Sequence, residues 1–239
     1  MPKVIRKFYR NGVEYKIKFP LPHYVEYPVT SSMYLYLPLN IQRWLTDMSD
    51  SPQTVTADWY TIWLNQWVES ANVTWYIKAS IWWAMKSNYN YTISFWAYIP
   101  SSVESKETMF YVQSNNTYSP HSIFVDTDKK IYYTTVNSDW YSTQVVLADG
   151  ISWWAYFVST KSKTERNLWV FQWNQKYSGS FTTNTTYDAN VTLNIWCWYG
   201  GNREYFKDWY LSNLVFDKTT TTEEAATQEY NKYKSYYWY

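Results

Sequence analysis

Apolar and polar residues alternate in short runs along most of this chain. Tyrosine, tryptophan, isoleucine, valine and threonine dominate the runs, and clusters of asparagine, serine, aspartate and glycine separate them. Period-two alternation of β-branched and aromatic residues between turn residues is typical of strands. The pattern predicts strands over 32–39, 91–99, 108–114, 122–127, 130–136, 142–148, 153–160, 167–173, 191–198 and 210–217.

One segment has helical character. In TTTTEEAATQEYNKYK (219–234), Thr221 or Thr222 can cap the N-terminus, and Glu223 and Glu224 lie in the favoured first turn. We therefore expect one helix, over 221–234. Many strands and one late helix, without an alternation of strands and helices, predict an all-β sandwich of two antiparallel sheets. From the alternation we expect these side chains to point inward: Ile93, Phe95, Phe157, Val170, Ile195, Leu214 and Phe216.

The first 32 residues have a different pattern. Asn11-Gly12 between two alternating runs indicates a hairpin, and Pro22 and Pro28 favour extended chain after it. We interpret 1–32 as an N-terminal arm or hairpin and 33–239 as the main domain. About 30 residues cannot bury their own apolar side chains. The arm is therefore expected to contact another subunit or a neighbouring structural protein.

Composition limits the function classes. Twenty-one lysines and arginines against 20 aspartates and glutamates give no argument for a nucleic-acid partner. The apolar runs are strand-sized, so no membrane span is expected, and no apolar secretory signal is visible near Met1. Two histidines and Cys197 cannot form a usual zinc site. The one acid-x-acid pair of the strand region, Asp126 and Asp128, lies in the predicted turn DTDKK, so we expect no glycosidase and no enzyme.

Six segments in order resemble the laminin-G-like members of the concanavalin A-like lectins. They are LYLPLN…DMSD (35–50), NYTISFWAYIP (90–100), SIFVDTDKKIYY (122–133), GISWWAYFVSTKS (150–162), LWVFQWNQKYSGSF (168–181) and the ending 205–234. The resemblance implies a jelly-roll sandwich that recognises a ligand without catalysis and needs no organic cofactor. It also implies that calcium can bind at the rim, for which the candidates, each of which can equally be a plain turn residue, are Asp126, Asp128, Asp139 and Asp208.

Tryptophan stands at several positions where the lectin pattern has glycine. The chain has 17 tryptophans and 5 glycines, whereas average usage of glycine would give about 17. We hypothesise that the source reads UGA as glycine; the alternative is a real enrichment of tryptophan for ring stacking. The positions concerned are Trp173, Trp196 and Trp209, with Trp59, Trp63, Trp67 and Trp75 earlier in the chain.

Ligands of jelly-roll lectins usually meet rim loops, where rings stack on sugars and polar groups fix their orientation. Tyr199, Arg203 and Tyr205 combine rings with a forked donor in one short segment and are the first candidates. Further candidates lie in two other loops: Tyr118, His121, Trp140 and Tyr141. The alternative for all of them is that they are ordinary loop residues.

Three functions remain open. The first is a non-catalytic attachment protein with a lectin-like jelly roll on a virion, such as a phage fibre, that binds a host-surface glycan or receptor. The second is a purely structural protein that decorates a capsid, tail or filament and binds only protein. The third is a bacterial surface adhesin. The first two place the chain in an oligomer or particle, and all three place it at a virion or extracellular surface without a secretory signal peptide.

Overall fold

The computed structural model forms two large antiparallel sheets, a separate hairpin and one helix. It describes residues 3–10, 13–20, 27–38, 47–52, 55–58, 61–62, 68–71, 76–80, 90–103, 107–114, 121–136, 141–147, 151–162, 164–182, 191–195 and 207–237. The strands and the helix are β1 (Lys3–Arg10), β2 (Val13–Pro20), β3 (Met33–Leu37), β4 (Val55–Asp58), β5 (Thr61–Ile62), β6 (Val68–Ala71), β7 (Tyr76–Ser80), β8 (Tyr91–Ile99), β9 (Glu107–Ser114), β10 (His121–Val125), β11 (Ile131–Val136), β12 (Tyr141–Leu147), β13 (Trp153–Lys161), β14 (Glu165–Gln172), β15 (Gln175–Thr182), β16 (Val191–Ile195), β17 (Lys207–Asp217) and α1 (Glu223–Tyr237).

The sheets form the predicted sandwich. One has the strand order β12-β11-β10-β9-β16-β7-β4, and the other has the order β15-β14-β13-β8-β17-β6-β5, with β3 also paired to β17. We call them the seven-stranded and the eight-stranded sheet. The core between them contains Phe95 and Phe157 from the eight-stranded sheet and Ile123 and Tyr133 from the seven-stranded sheet, all at most 1% exposed. The predicted fold class is confirmed.

Six of the seven side chains expected in the core are buried there. They are Ile93, Phe95, Phe157, Val170, Leu214 and Phe216. Ile195 lies in β16, but its side chain is outside the described residues. Alternation identifies the core correctly because one face of each sheet meets the other sheet, and residues two apart share a face.

The predicted strands of the main domain agree with the structure to within a few residues, but five strands were not predicted: β4, β5, β6, β7 and β15. DTDKK connects β10 and β11, which pair with Val125 opposite Ile131. The predicted strand 167–173 corresponds to β14, and β15, which pairs with β14 along its whole length, has no counterpart in the prediction. β15 is an edge strand with mostly exposed side chains, so it lacks the alternation of apolar residues from which strands were identified.

The helix has the predicted cap and a longer C-terminal end. The Thr222 hydroxyl accepts a hydrogen bond from the Ala225 N–H at 3.2 Å, which is N-cap geometry. The helix ends at Tyr237 instead of 234. Tyr230, Tyr233 and Tyr237 lie on one face and are buried, so packing on the eight-stranded sheet stabilises the last turn. Within the described residues, no helix is long and apolar enough to cross a membrane.

The Asp-x-Ser segment at 47–49 folds back on β3. The Asp47 carboxylate accepts hydrogen bonds from the N–H groups of Tyr36 and Ser49, both at 2.9 Å. The Met48 N–H donates to the Tyr36 carbonyl at 2.8 Å. This segment belongs to the lectin-like opening LYLPLN…DMSD, and its buried carboxylate satisfies backbone donors that the sheet leaves unpaired.

The N-terminal hairpin is present as the sequence predicts. β1 and β2 pair from Lys3 opposite Pro20 to Arg10 opposite Val13, which leaves two residues for the turn. This hairpin forms its own two-stranded sheet and joins neither large sheet in the described part of the chain. Tyr27, inside the predicted arm, is 4% exposed and packs on the main domain. The boundary at 32 and the docking role of the arm stay predictions.

We expect Thr222→Ala to lower the free energy of unfolding by about 0.5–2 kcal/mol, because it removes the acceptor of the Ala225 N–H. Urea unfolding followed by circular dichroism measures this. Thr221→Ala is the matched control and should have a smaller effect, because Thr221 uses its backbone N–H to bond Thr92. Equal losses in the two variants would contradict the assignment of the cap.

We expect deletion of residues 1–20 to leave a folded domain that no longer assembles. The deletion removes only the separate hairpin and keeps Tyr27. Light scattering reports the assembly of the full-length and the shortened chain, and thermal unfolding reports the fold. A shortened chain that unfolds at a much lower temperature would show that the hairpin is part of the domain. Unchanged assembly would exclude the docking role.

Candidate functional site

A second aromatic core covers the outer face of the eight-stranded sheet. Trp96 of β8 is fully buried there and stacks on Tyr156 of β13, with ring centroids 5.0 Å apart. From the helix, Tyr230 and Tyr237 stack on the same indole at 5.6 and 4.0 Å. The central strands β8 and β13 are therefore buried on both faces of the sheet, by the seven-stranded sheet on one side and by α1 on the other.

The chain before β3 completes this outer layer. The Trp96 indole N–H donates to the Tyr27 hydroxyl at 2.9 Å, and the rings of Tyr27 and Tyr233 stack at 4.5 Å. The Tyr27 N–H donates to the Tyr36 hydroxyl at 2.6 Å. These contacts hold residues 27–33 alongside α1, and a groove remains between the two segments.

This groove, which we call the helix groove, has a volume of about 420 Å³. Pro28, before β3, and Met33, the first residue of β3, form an apolar wall. Gln228, Glu229 and Lys232 line the helix side. Gln228 and Lys232 are exposed, and Glu229 is half-buried. Donors, an acceptor and apolar wall therefore face one cleft, a combination suited to a ligand that carries hydroxyl groups beside C–H surface.

Asp217 closes one end of the groove and is held in place. Its Oδ2 accepts a hydrogen bond from the Ser32 hydroxyl at 2.7 Å. Its Oδ1 accepts from the N–H and the hydroxyl of Thr219, at 2.8 and 2.5 Å. The carboxylate therefore organises the junction between β17 and α1, and its oxygens are already engaged.

Glu229 is the titrating group of the groove. Burial raises the pKa of its carboxyl, and the nearby Asp217 carboxylate adds to the increase. The Lys232 ammonium and a hydrogen bond from the Tyr156 hydroxyl act in the opposite direction and lower the pKa, but the net shift is upward. Glu229 can therefore accept or donate a hydrogen bond nearer to neutral pH than an exposed glutamate can.

A second cleft has a volume of about 240 Å³ and is lined by Trp173, Asn174, Lys234 and Ser235. We call the end of the sandwich that carries this cleft and Trp153 the Trp153 rim. Trp153 lies at the start of β13, opposite Ile99 at the end of β8, and meets the Tyr98 ring edge-on at 5.3 Å. Trp153 and Trp173 are 39% and 53% exposed, so this rim carries the exposed indoles of the described chain.

The first three candidates from the sequence lie outside the described residues, as do several others. These are Tyr199, Arg203, Tyr205, Tyr118, Trp140 and Asp139. His121 and Tyr141 begin β10 and β12 at the same end of the seven-stranded sheet. β16 ends at Ile195 at the opposite end.

The calcium candidates with described side chains take part in turn hydrogen bonds. Asp126 Oδ1 accepts from the Thr127 N–H at 2.7 Å. Asp128 accepts from the Lys130 N–H and the Tyr132 hydroxyl, both at 3.0 Å, and hydrogen bonding with Lys130 lowers the pKa of its carboxyl. The described residues contain no group of three or more histidine, cysteine, aspartate or glutamate side chains placed to hold a metal. Asp208 lies in β17, and its side chain is outside the described part.

The helix groove was not predicted from the sequence, although the tyrosine spacing in the last segment indicates its helix wall. Tyr230, Tyr233 and Tyr237 recur at three- and four-residue spacing, which predicts a buried helix face. Gln228, Glu229 and Lys232 are then expected beside that face. Nothing local in LPHYVEYPV (21–29) indicates that Tyr27 packs against Tyr233, because that contact joins segments about 200 residues apart.

The comparisons with known proteins concern the fold. No protein-family model and no curated protein sequence matches the chain. Among solved structures, the chain is similar to the binding domain of botulinum neurotoxin serotype D, with a TM-score of 0.63 and 13% identity over 84% of this chain and 52% of that one. It is similar to the binding domain of botulinum neurotoxin DC in complex with rat synaptotagmin II, with a TM-score of 0.61, 14% identity and coverage of 84% and 51%.

A third similar structure is from botulinum neurotoxin type C, whose cell entry is dependent on interaction with two ganglioside molecules. It has a TM-score of 0.61 and 14% identity. The chain spans about half the length of these domains. At this identity the likeness shows a shared β-sandwich fold and leaves the ligand open.

We expect the protein to become less stable as the pH rises through the raised pKa of Glu229. The folded state favours the protonated carboxyl, so this contribution is present below the unfolded pKa of about 4.3 and is lost above the folded value. Glu229→Gln should remove this loss, so its advantage over the parent should grow from pH 4 to pH 8 in thermal unfolding. Glu224→Gln, on an exposed position of the same helix, should bring no gain at pH 8. Parallel profiles for Glu229→Gln and the parent would contradict the prediction.

Proposed function

We propose that this chain is a non-catalytic recognition domain that binds a glycan or a glycan-bearing receptor. The observation that carries the proposal is the likeness of 84% of the chain to the β-sandwich of binding domains, one in complex with rat synaptotagmin II and one from a toxin whose cell entry depends on two ganglioside molecules. The helix groove supports it, because Gln228, Glu229 and Lys232 offer sugar hydroxyls both donors and an acceptor.

The arrangement of the groove carboxylates supports binding over hydrolysis. A glycosidase needs one carboxyl as acid and a second as nucleophile or base. Both Asp217 oxygens already accept hydrogen bonds from Ser32 and Thr219, so this carboxylate is occupied as a structural acceptor. Glu229 alone is left to contact a ligand, which suits recognition.

The setting that we propose is the surface of a virion or a cell. There the sandwich would present its ligand site outward, and residues 1–30 would dock on a neighbouring structural protein. The β1–β2 hairpin forms a sheet of its own, which supports a docking role for this segment and a ligand-binding role for the sandwich. The same hairpin favours a second candidate, in which the chain only decorates a particle and binds protein alone.

A glycan array that includes gangliosides and sialylated oligosaccharides tests the first candidate. We expect the full-length protein to bind a restricted set of these glycans and to release no shorter glycan, as checked by mass spectrometry. The double variant Gln228→Ala/Lys232→Ala should weaken binding about tenfold or more, because it removes two exposed donors from the groove. Glu224→Ala/Asn231→Ala, at two other exposed positions of α1, is the matched control and should bind as the parent does.

The rim residues predicted from the sequence are tested in the same assay. Loss of binding in Tyr199→Ala/Arg203→Ala/Tyr205→Ala with normal binding by the groove variant would move the site to that segment and keep the function. No bound glycan, combined with binding of the full-length chain to an isolated particle protein, would favour the purely structural candidate. Release of shortened glycans would contradict a non-catalytic role.

A further inference from the structure

The tryptophans whose side chains are described fall into two groups. Trp96, Trp154 and Trp169 are buried, at 0%, 3% and 8% exposure. Trp153 and Trp173 are exposed, and both have positive φ, at 83° and 56°. Positive φ is uncommon for residues with a Cβ atom and is an outlier for bulky side chains, whereas glycine adopts it freely. Among the tryptophans with described side chains, the two that have positive φ are therefore also the two that are exposed.

Trp173 occupies a turn position that calls for glycine. It is the first of two residues between the paired Gln172 and Gln175 of the β14–β15 hairpin. Positive φ at the first turn residue and not at the second is the pattern of a type II′ turn, which has glycine first. The Tyr230 hydroxyl donates to the Trp173 carbonyl at 2.6 Å, so contact with the helix fixes this backbone. The indole is 53% exposed and lines the cleft with Lys234 and Ser235.

Hydrogen bonds from the Gln172 side chain hold the backbone near Trp153. The Gln172 side chain is buried, and its Nε2 donates to the carbonyl of Ser152 and, at 3.5 Å, to the carbonyl of Trp154. One glutamine thus bonds the carbonyls of the two residues on either side of Trp153.

The other residues with positive φ have ordinary explanations. Asn213 belongs to a residue type that tolerates this region. Lys129 lies in the DTDKK turn, where its N–H donates to the Asp126 carbonyl at 2.7 Å. Of the other tryptophans suspected from the sequence, Trp209 lies where β17 bulges against β6 between Lys207 and Tyr210, a usual place for glycine. Trp59, Trp63, Trp67, Trp75 and Trp196 lie outside the described residues.

We propose that the native residue at positions 153 and 173 is glycine, encoded by UGA, and that Trp96, Trp154 and Trp169 are true tryptophans. The excess of 17 tryptophans over 5 glycines supports the first part. The tight stacking of Trp96 and the burial of Trp154 and Trp169 support the second, because glycine would leave cavities there. It follows that the exposed indoles of the Trp153 rim are not a sugar-stacking platform. This inference is independent of glycan binding at the helix groove.

The coding DNA and the protein from its natural source give the direct test. We expect UGA codons at 153 and 173 and UGG codons at 96, 154 and 169. The tryptic peptide 167–176 contains both Trp169 and Trp173, so its fragment masses should show tryptophan at 169 and glycine at 173. UGG at 153 and 173, or tryptophan in the natural peptide at 173, would overturn the proposal.

Stability of the recombinant chain gives a second readout. Trp173→Gly and Trp153→Gly should each raise the melting temperature by about 2–4 °C. Trp173→Ala and Trp153→Ala are matched controls that remove the ring but keep a Cβ atom, so they should gain less. Trp169→Gly and Trp154→Gly should lower the melting temperature. Lower stability of the Trp153→Gly and Trp173→Gly variants, or loss of glycan binding in them alone, would show that both indoles belong to the fold or to its ligand site and would overturn the proposal.

Discussion

A buried set of hydrogen bonds behind the eight-stranded sheet holds the outer layer of this protein together. The Tyr36 hydroxyl accepts from the Tyr27 N–H and donates to Asn213 Oδ1 at 3.0 Å, and Asn213 Nδ2 donates to the Tyr237 hydroxyl at 2.8 Å. The chain before β3, the strands β3 and β17 and the end of α1 thereby meet at one place. Phenols and an indole bury large apolar area and still need partners for their polar atoms, so each ring fixes the position of another.

Trp96 is the centre of that layer. It contacts the sheet through Tyr156, the helix through Tyr230 and Tyr237, and the chain before β3 through its N–H. Truncation of a buried tryptophan costs about 3–5 kcal/mol, a large part of the roughly 5–15 kcal/mol of a typical domain. Trp96 thereby contacts both segments that form the walls of the helix groove.

The polar groups of this layer fall into two sets: those that bond within the protein and those that a ligand can reach. The hydroxyls of Tyr27, Tyr36 and Tyr237 are used inside the protein, and burial raises the pKa of Tyr27 well above its usual value. Gln228, Glu229 and Lys232 remain at the edge, where a ligand can reach them. A high aromatic content therefore does not by itself indicate a sugar-binding surface. Many of the described rings are used inside the protein, in the second core.

The sequence by itself determined the two-sheet sandwich, the hairpin at 11–12, the DTDKK turn and the cap of α1. These features depend on alternation, turn residues and capping, which act over a few residues. It also made Trp173 a candidate for a native glycine, because the resemblance to the lectin pattern implies glycine at that turn.

Tertiary structure alone decided that α1 packs behind Trp96, that Tyr27 completes this layer and that a groove opens beside it. It alone revealed Trp153, because the bonds from Gln172 that fix the backbone there come from a residue on the neighbouring strand. The physical reason is the same in each case. These contacts join segments far apart in the chain, and their partners become neighbours only when the sheets pair and the helix docks.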